Sequence, residues 1–194
     1  MNNLIQKAIA KAIIIHEGQV RKGDGKTPYV LHSLEVGIVL SSYTTSEVLI
    51  SAGILHDVLE DGKISKEEMT EEFGNEILSY VELLTENKSI SNWAERKAEN
   101  LNRLAGNKAI YVIKVVDTYV NMKDLLAAIR EQGEGVWEKF NANKEMKMSY
   151  FERILADTKT DMPSDLLEKY VSVLKDLQYS EYTAKKIEEI GFKE

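Results

Sequence analysis

The stretch AGILHDVLED, residues 52–61, decides how the fold of this chain is interpreted, because it places one imidazole and three carboxylates within an apolar run. The apolar residues predict a buried helix that ends near Asp61. On that helix His56 would lie one turn before Glu60, and Asp57 one turn before Asp61. A solvated helix end would explain Asp61, but not a histidine and an aspartate that directly follow LISAGIL. Acidic side chains in a last turn also oppose the helix dipole, so a compensating cation is expected.

The rest of the chain predicts an all-α protein. Its 194 residues include two prolines, apolar residues recur at helical spacing, and no convincing strand pair appears. Caps and glycines divide the pattern into separate helices. Thr27 is expected to cap the second helix, Ser65 opens a capping box, and Gly74 ends the helix that follows it. The length fits one domain, so we expect a compact multi-helix fold over residues 1–194.

Composition argues against several classes of function. The chain contains no cysteine, which excludes disulfides, thiolate nucleophiles and Cys-ligated zinc, and favours a reducing, cytoplasmic location. The net charge of −7 argues against a general affinity for nucleic acid or anionic membranes. We expect no signal peptide and no membrane span, because a span needs about 20 apolar residues. An anionic substrate would therefore need local positive contacts.

Two further polar residues stand within apolar helical patterns. Asp117 lies in IYVIKVVDTYVNM, where an ionised carboxylate needs a partner or a metal, and His32 lies on the second predicted helix. Taken alone, Asp117 is equally well explained by an ion pair, for instance with Lys114, and His32 by a core position. With His56 and Asp57 they supply two imidazoles and two carboxylates from three helices that would have to converge. Such a set suits Mn²⁺, Fe²⁺ or Zn²⁺, and octahedral geometry with open water positions favours Mn²⁺.

The order of these residues, H…HD…D, resembles the HD superfamily of metal-dependent phosphohydrolases. Longer segments, among them AIIIHEGQVRKGDGKTPYVLHSLEVGIVL, AGILHDVLED and IKVVDTYVNMKDL, are similar to the guanosine-tetraphosphate hydrolase domain. That domain occurs in bifunctional alarmone synthetase/hydrolases and in stand-alone small alarmone hydrolases. The resemblance covers about residues 5–126, which would form the core of an all-α HD domain, with the C-terminal helices packed on it. At this length we expect no alarmone synthetase domain.

The resemblance also implies a role for each residue singled out. The metal ligands, usually of Mn²⁺, would be His32, His56, Asp57 and Asp117. Glu60 and Asp61 would activate or place the attacking water. Arg21 and Lys22 would flank the guanine base and fix the nucleotide, and Asn121 would contact the nucleotide near its ribose.

The implied reaction releases pyrophosphate from the 3′ position of ppGpp or pppGpp and leaves GDP or GTP. The substrate would be a small guanine nucleotide, with no nucleic-acid or membrane partner, and the oligomeric state is left open. One alternative is another HD phosphohydrolase, acting on NADPH or a nucleoside monophosphate, which would not need guanine selectivity. A second is a non-catalytic helical module that senses a nucleotide, which would be expected to lack Glu60 or Asp61.

Three features depart from the pattern of that domain. Ser33 stands where a proline usually follows the first metal-ligand histidine. The loop between Arg21 and Pro28 is longer than the commonest form, and Thr118 stands where a lysine or arginine commonly follows the metal aspartate. These departures weaken the substrate assignment more than the reaction class. Arg96 and Lys97 are predicted to lie on a solvated helix face, and a role near the entrance of the site is the alternative.

Overall fold

The structure, a computed structural model, describes residues 3–60 and 63–180. Within those ranges the chain forms helices and no strand, apart from an isolated bridge between Val20 and Pro28. The prediction of an all-α fold is confirmed. The helices are α1 (Leu4–Ile15), α2 (Val30–Ser41), α3 (Glu47–Ile54), α4 (Lys66–Leu84), α5 (Trp93–Leu104), α6 (Lys108–Gln132), a 3₁₀ helix (Glu134–Lys139), α7 (Lys144–Thr158) and α8 (Ser164–Gln178).

Helix α6 forms the centre of the fold. Its buried residues include the consecutive run from Ile113 to Thr118, so it is covered on all sides rather than along one stripe. It packs against α2, α3, α4, α5, α7 and α8. The polar residues Lys114, Asp117 and Thr118 of this run are therefore buried.

Two glycines allow α2 and α3 to approach closely. A Cβ atom at Gly37 would lie 2.4 Å from a side-chain carbon of α3, and one at Gly53 would lie 2.2 Å from a side-chain carbon of α2. This crossing brings the first turn of α2 next to the chain that leaves α3. The rings of His32 and His56, which lie on these two segments, have centroids 5.2 Å apart.

The third helix is shorter than predicted. It ends at Ile54, and residues 55–60 form successive turns, in which Val58 N–H donates to Leu55 O (3.1 Å) and Glu60 N–H to Asp57 O (3.0 Å). The predicted helix to Asp61 is therefore wrong. One physical reason is that His56 Nδ1 bonds Gly53 O at 2.8 Å, which is the carbonyl that Asp57 N–H would use in a continued helix.

Two other predicted helix boundaries, at Ser65 and Gly74, agree with the structure, and the predicted cap at Thr27 is wrong. The capping box at Ser65 is present, and Gly74, with φ of 85°, interrupts α4 where the predicted helix ends. Thr27 does not cap α2. Its backbone N–H donates to Asp24 Oδ1 at 3.1 Å and its hydroxyl to Asp24 Oδ2, so it closes a loop, and α2 begins later, at Val30.

No helix in residues 3–60 or 63–180 is long and apolar enough to cross a membrane. The expectation of one domain over residues 1–194 stays a prediction.

Candidate active site

The structure brings the four predicted metal ligands together from three parts of the chain. His32 lies in the first turn of α2, His56 and Asp57 in the turns after α3, and Asp117 in the middle of α6. His32, His56 and Asp57 each offer a ligand atom within 4.8 Å of the others. Asp117 Oδ1 lies 3.2 Å from His32 Nε2 and 3.5 Å from His56 Nε2. Four donors of the predicted types thus face a common point.

The two imidazoles each direct Nε2 toward this group. A carbonyl only accepts hydrogen bonds, so the His56 Nδ1 that bonds Gly53 O carries the proton and a neutral ring leaves Nε2 as a donor to a cation. Both nitrogens of His32 are buried; Nδ1 has no hydrogen-bond partner within the described residues, and the contact of Nε2 with Asp117 Oδ1, at 3.2 Å, does not have the geometry of a hydrogen bond. Buried polar atoms without a partner are rare, so the donor set fits a divalent cation.

Neighbouring side chains orient the two carboxylates. The Tyr29 hydroxyl donates to Asp57 Oδ2. Lys114 Nζ donates to Asp117 Oδ2 at 2.9 Å, and Asn121 Nδ2 donates to Asp117 Oδ1 at 2.6 Å. The ion pair that could have explained Asp117 by itself is therefore present. It occupies one carboxylate oxygen and leaves the other beside the imidazoles.

Burial and close charges shift the pKa values of this group in opposite directions. Burial raises the pKa of Asp117, but Lys114 and His56 outweigh it and hold the pKa well below its usual value. Burial lowers the pKa of His56, and the carboxylates of Asp57 and Asp117 raise it well above its usual value. Burial lowers the pKa of His32. The carboxylates are therefore ionised at neutral pH, as ligands of a cation must be.

Glu60 follows the group by one turn of chain and lines the same cavity. Burial raises its pKa, and the charges of Asp57 and Glu86 raise it further. A raised carboxylate pKa suits proton acceptance near neutral pH. The side chain is held by Lys88, whose Nζ lies 3.8 Å from Glu60 Oε2. Asp61, the other predicted catalytic residue, lies outside the described residues.

The predicted nucleotide contacts Arg21, Lys22 and Asn121 line this cavity, which has a volume of about 890 Å³. Arg21 Nη2 donates to Asn121 Oδ1 at 2.6 Å and pairs with Asp124 at 2.9 Å. Asn121 thus connects Arg21 to the metal-ligand group. The nucleotide-binding roles of the three residues stay predictions.

The predicted solvated face for Arg96 and Lys97 is wrong, and the alternative position near the site fits the structure. Both side chains line the cavity, and both bond Glu86, with Arg96 Nε at 2.8 Å from Glu86 Oε2. Helical spacing predicts which positions of α5 are apolar, but not that these two side chains border a cavity. Sequence reasoning also missed Lys147 and Tyr150 of α7, which line the cavity within a segment that reads as ordinary amphipathic helix.

Comparison with known proteins gave consistent matches. An HD domain family model matches residues 8–145. A GTP pyrophosphokinase of Myxococcus xanthus is 33% identical over 132 residues, which cover 63% of this chain and 17% of that protein. The guanosine-3′,5′-bis(diphosphate) 3′-pyrophosphohydrolase MESH1 of Drosophila melanogaster is 32% identical over 112 residues, covering 57% and 63% of the two chains. This chain spans 17% to 19% of the length of the first curated relatives it matches.

Two solved structures resemble this fold. One, described as a metazoan ortholog of SpoT that hydrolyzes ppGpp, has a TM-score of 0.73 and 26% identity, covering 91% of this chain and 96% of the other. The second, a protein of Listeria monocytogenes EGD-e, has a TM-score of 0.66 and 26% identity, covering 74% and 96% of the two chains.

Proposed function

This chain belongs to the HD domain family, and from that premise we propose that it is a metal-dependent guanosine-3′,5′-bis(diphosphate) 3′-pyrophosphohydrolase. It would convert ppGpp or pppGpp and water to GDP or GTP and pyrophosphate. Support comes from relatives that carry this name and from the similar structure described as hydrolyzing ppGpp.

The observation that carries this function is the position of the metal-ligand group in the wall of a large cavity that also holds several cations. His32, His56, Asp57 and Asp117 would hold the ion. A set of imidazoles and carboxylates without sulfur suits Mn²⁺, Fe²⁺ or Zn²⁺, and octahedral coordination with open water positions would favour Mn²⁺. A divalent cation bound there would polarise a phosphoryl oxygen and make a water molecule more acidic.

The remaining residues would bind, orient and move a proton. The Glu60 carboxylate, with its raised pKa, would accept the proton of the attacking water, and Asp61 would help to place that water. Arg21, Lys22 and Asn121 would hold the nucleotide so that its 3′-diphosphate reaches Glu60.

The domain organisation, location and partners of the protein are also proposals. We propose that residues 1–194 act as one domain on a small guanine nucleotide in the cytoplasm, without a nucleic-acid or membrane partner. The acidic balance of the chain, with a net charge of −7, supports the absence of both polyanionic partners.

The test is product analysis. Purified protein with Mn²⁺ would be incubated with ppGpp, NADPH or a panel of nucleoside monophosphates, and the products separated by anion exchange. We expect GDP and pyrophosphate from ppGpp, lost in Asp57→Ala and Glu60→Ala and retained in Glu138→Ala, which changes an exposed carboxylate outside the cavity. Orthophosphate from NADPH or a monophosphate, with ppGpp intact, would overturn the substrate.

A further inference from the structure

Lys147 of α7 is a half-buried lysine that lines the active-site cavity. Its ammonium group lies 4.2 Å from the centroid of the Phe140 ring, which also lines the cavity. Within the described residues it makes no hydrogen bond and no ion pair with a carboxylate. A cation–π contact compensates only part of the cost of removing an ammonium group from water.

Most other cations of the cavity have acidic partners. Arg21 pairs with Asp124, Arg96 and Lys97 with Glu86, Lys88 with Glu60, and Lys114 with Asp117. Lys22, in the loop before α2, resembles Lys147, since no described carboxylate pairs with it. The cavity therefore holds two lysines whose charge its own acidic residues do not neutralise.

The surroundings of Lys147 make its charge unfavourable. Burial and, after it, the charges of Lys97, Lys22 and Arg21 together lower its pKa from 10.5 to about 8. All three of these neighbours disfavour the charged form of a half-buried lysine that no described carboxylate pairs with, and a bound anion would relieve this cost. A perturbed pKa in a cavity is typical of a functional residue rather than of a structural one.

Lys147 lies on α7, an element that contributes none of the four predicted metal ligands. The charged groups that shift its pKa are all cations, whereas the pKa of Lys114 is raised by Asp117 and Glu86. A nucleotide with diphosphates at two positions would place one at the metal ligands. The second would need positive contacts elsewhere in the same cavity.

We propose that Lys147, together with Lys22, binds the 5′-diphosphate of the guanine nucleotide, the group that is not hydrolysed. This assignment rests on the proposed function for the identity of the nucleotide. A charge-assisted hydrogen bond from either ammonium group would stabilise substrate and transition state equally. Lys147 is therefore a binding residue that raises affinity and leaves the chemical step unchanged.

Lys147→Met tests this role, because methionine keeps much of the aliphatic stem and removes the charge. We expect the KM for ppGpp to rise about tenfold or more with little change in kcat, the pattern of lost uniform binding. The thermal midpoint at neutral pH should rise, because an uncompensated charge leaves the folded state. An unchanged KM, or a kcat loss with a lowered midpoint, would overturn the proposal.

Lys144→Met is the matched control. Lys144 lies one turn earlier on α7, outside the cavity lining, and pairs with Glu134 at 3.2 Å. Its substitution should leave the KM for ppGpp unchanged and should not raise the thermal midpoint.

Binding without metal separates this proposal from the proposed function. Calorimetric titrations in EDTA would compare pyrophosphate, GDP and guanosine. We expect pyrophosphate to bind wild type about tenfold more tightly than Lys147→Met, and GDP to exceed guanosine in affinity by a margin that the variant loses. Equal affinities in the two proteins would refute the anion site even if ppGpp is hydrolysed. If ppGpp is not hydrolysed, the proposed function fails, while these titrations still decide the role of Lys147.

Discussion

Lys114 Nζ donates to Asp117 Oδ2 at 2.9 Å, so that the other oxygen of the same carboxylate faces the imidazoles of His32 and His56. Both members of this pair are buried in the middle of α6. One side chain thus neutralises part of the charge of Asp117 and also fixes which oxygen is offered to a cation. Lys114 is therefore expected to affect both the stability of the fold and the binding of a cation.

Lys114→Met should reduce both stability and metal affinity. Removing one partner of a buried ion pair typically costs about 3–5 kcal/mol, because the other charge stays buried. The loss should be largest without metal and smaller with Mn²⁺, since a cation bound to the folded state stabilises it. Urea denaturation with and without Mn²⁺ measures both effects.

Lys108→Met provides the comparison for this prediction. Lys108 lies on the same helix and pairs with Asp161 at 2.7 Å, but its side chain is 78% exposed. Its loss should change stability little, because exposed ion pairs contribute little. If both variants lost the same free energy of unfolding, burial of the Lys114–Asp117 ion pair would not explain the effect of Lys114→Met.

Tyr29→Phe should weaken metal binding without unfolding the protein. The Tyr29 hydroxyl donates to Asp57 Oδ2, and the loss of a hydrogen bond to a metal ligand typically lowers metal affinity about 10–100-fold. Hydrolysis by the variant should be low at limiting Mn²⁺ and recover at excess Mn²⁺.

Tyr43→Phe removes a similar bond at an exposed position, from Tyr43 to Asp165 Oδ2 at 2.8 Å. A metal titration should not distinguish it from wild type. Failure of excess Mn²⁺ to rescue Tyr29→Phe would mean that Tyr29 acts on the substrate rather than on Asp57.

Gly53→Ala should disturb the crossing that brings His32 and His56 together. An added Cβ would lie 2.2 Å from a side-chain carbon of α2, and such overpacking typically costs about 1–3 kcal/mol. We expect a lower thermal midpoint and weaker Mn²⁺ binding. Gly106→Ala, where an added Cβ meets nothing within 4 Å, should show neither change.

The KM for ppGpp should rise in wild type as the pH rises through about 8, because Lys147 loses its proton there. The groups that set this pKa besides burial are Lys97 of α5 and Lys22 and Arg21 of the loop before α2. Lys147→Met should lack this part of the pH profile. A KM profile identical in both proteins would contradict the assignment.

The free energy of unfolding should increase over the same pH range in which the affinity for ppGpp falls. The pKa of Lys147 is lower in the folded state than its ordinary value of 10.5, so the unfolded state binds more protons between pH about 8 and 10.5. The destabilising effect of Lys147 is therefore fully present below pH 8 and disappears as the pH rises. The stability difference between Lys147→Met and wild type should shrink over that range in denaturant titrations.

Local sequence determined much of this protein. The spacing of apolar residues, the capping box at Ser65 and the glycine at position 74 determine where helices form, because these signals act within one or two turns. The same sequence placed Asp117 in an apolar run and thereby indicated a buried charge that requires a partner. The resemblance of the H…HD…D order then identified residues that the structure brings together.

Only the tertiary structure decided what those residues contact. The early end of α3 depends on the bond from His56 to Gly53 O, and the pairing of Asp117 with both Lys114 and the histidines depends on α6 crossing α2 and α3. The sequence of α7 did not predict the role of Lys147. Helical periodicity predicts which face of a helix is apolar, but not which residues from other segments contact that helix. Convergence of distant segments is a property of packing, and packing of α6 against the surrounding helices is what creates the site.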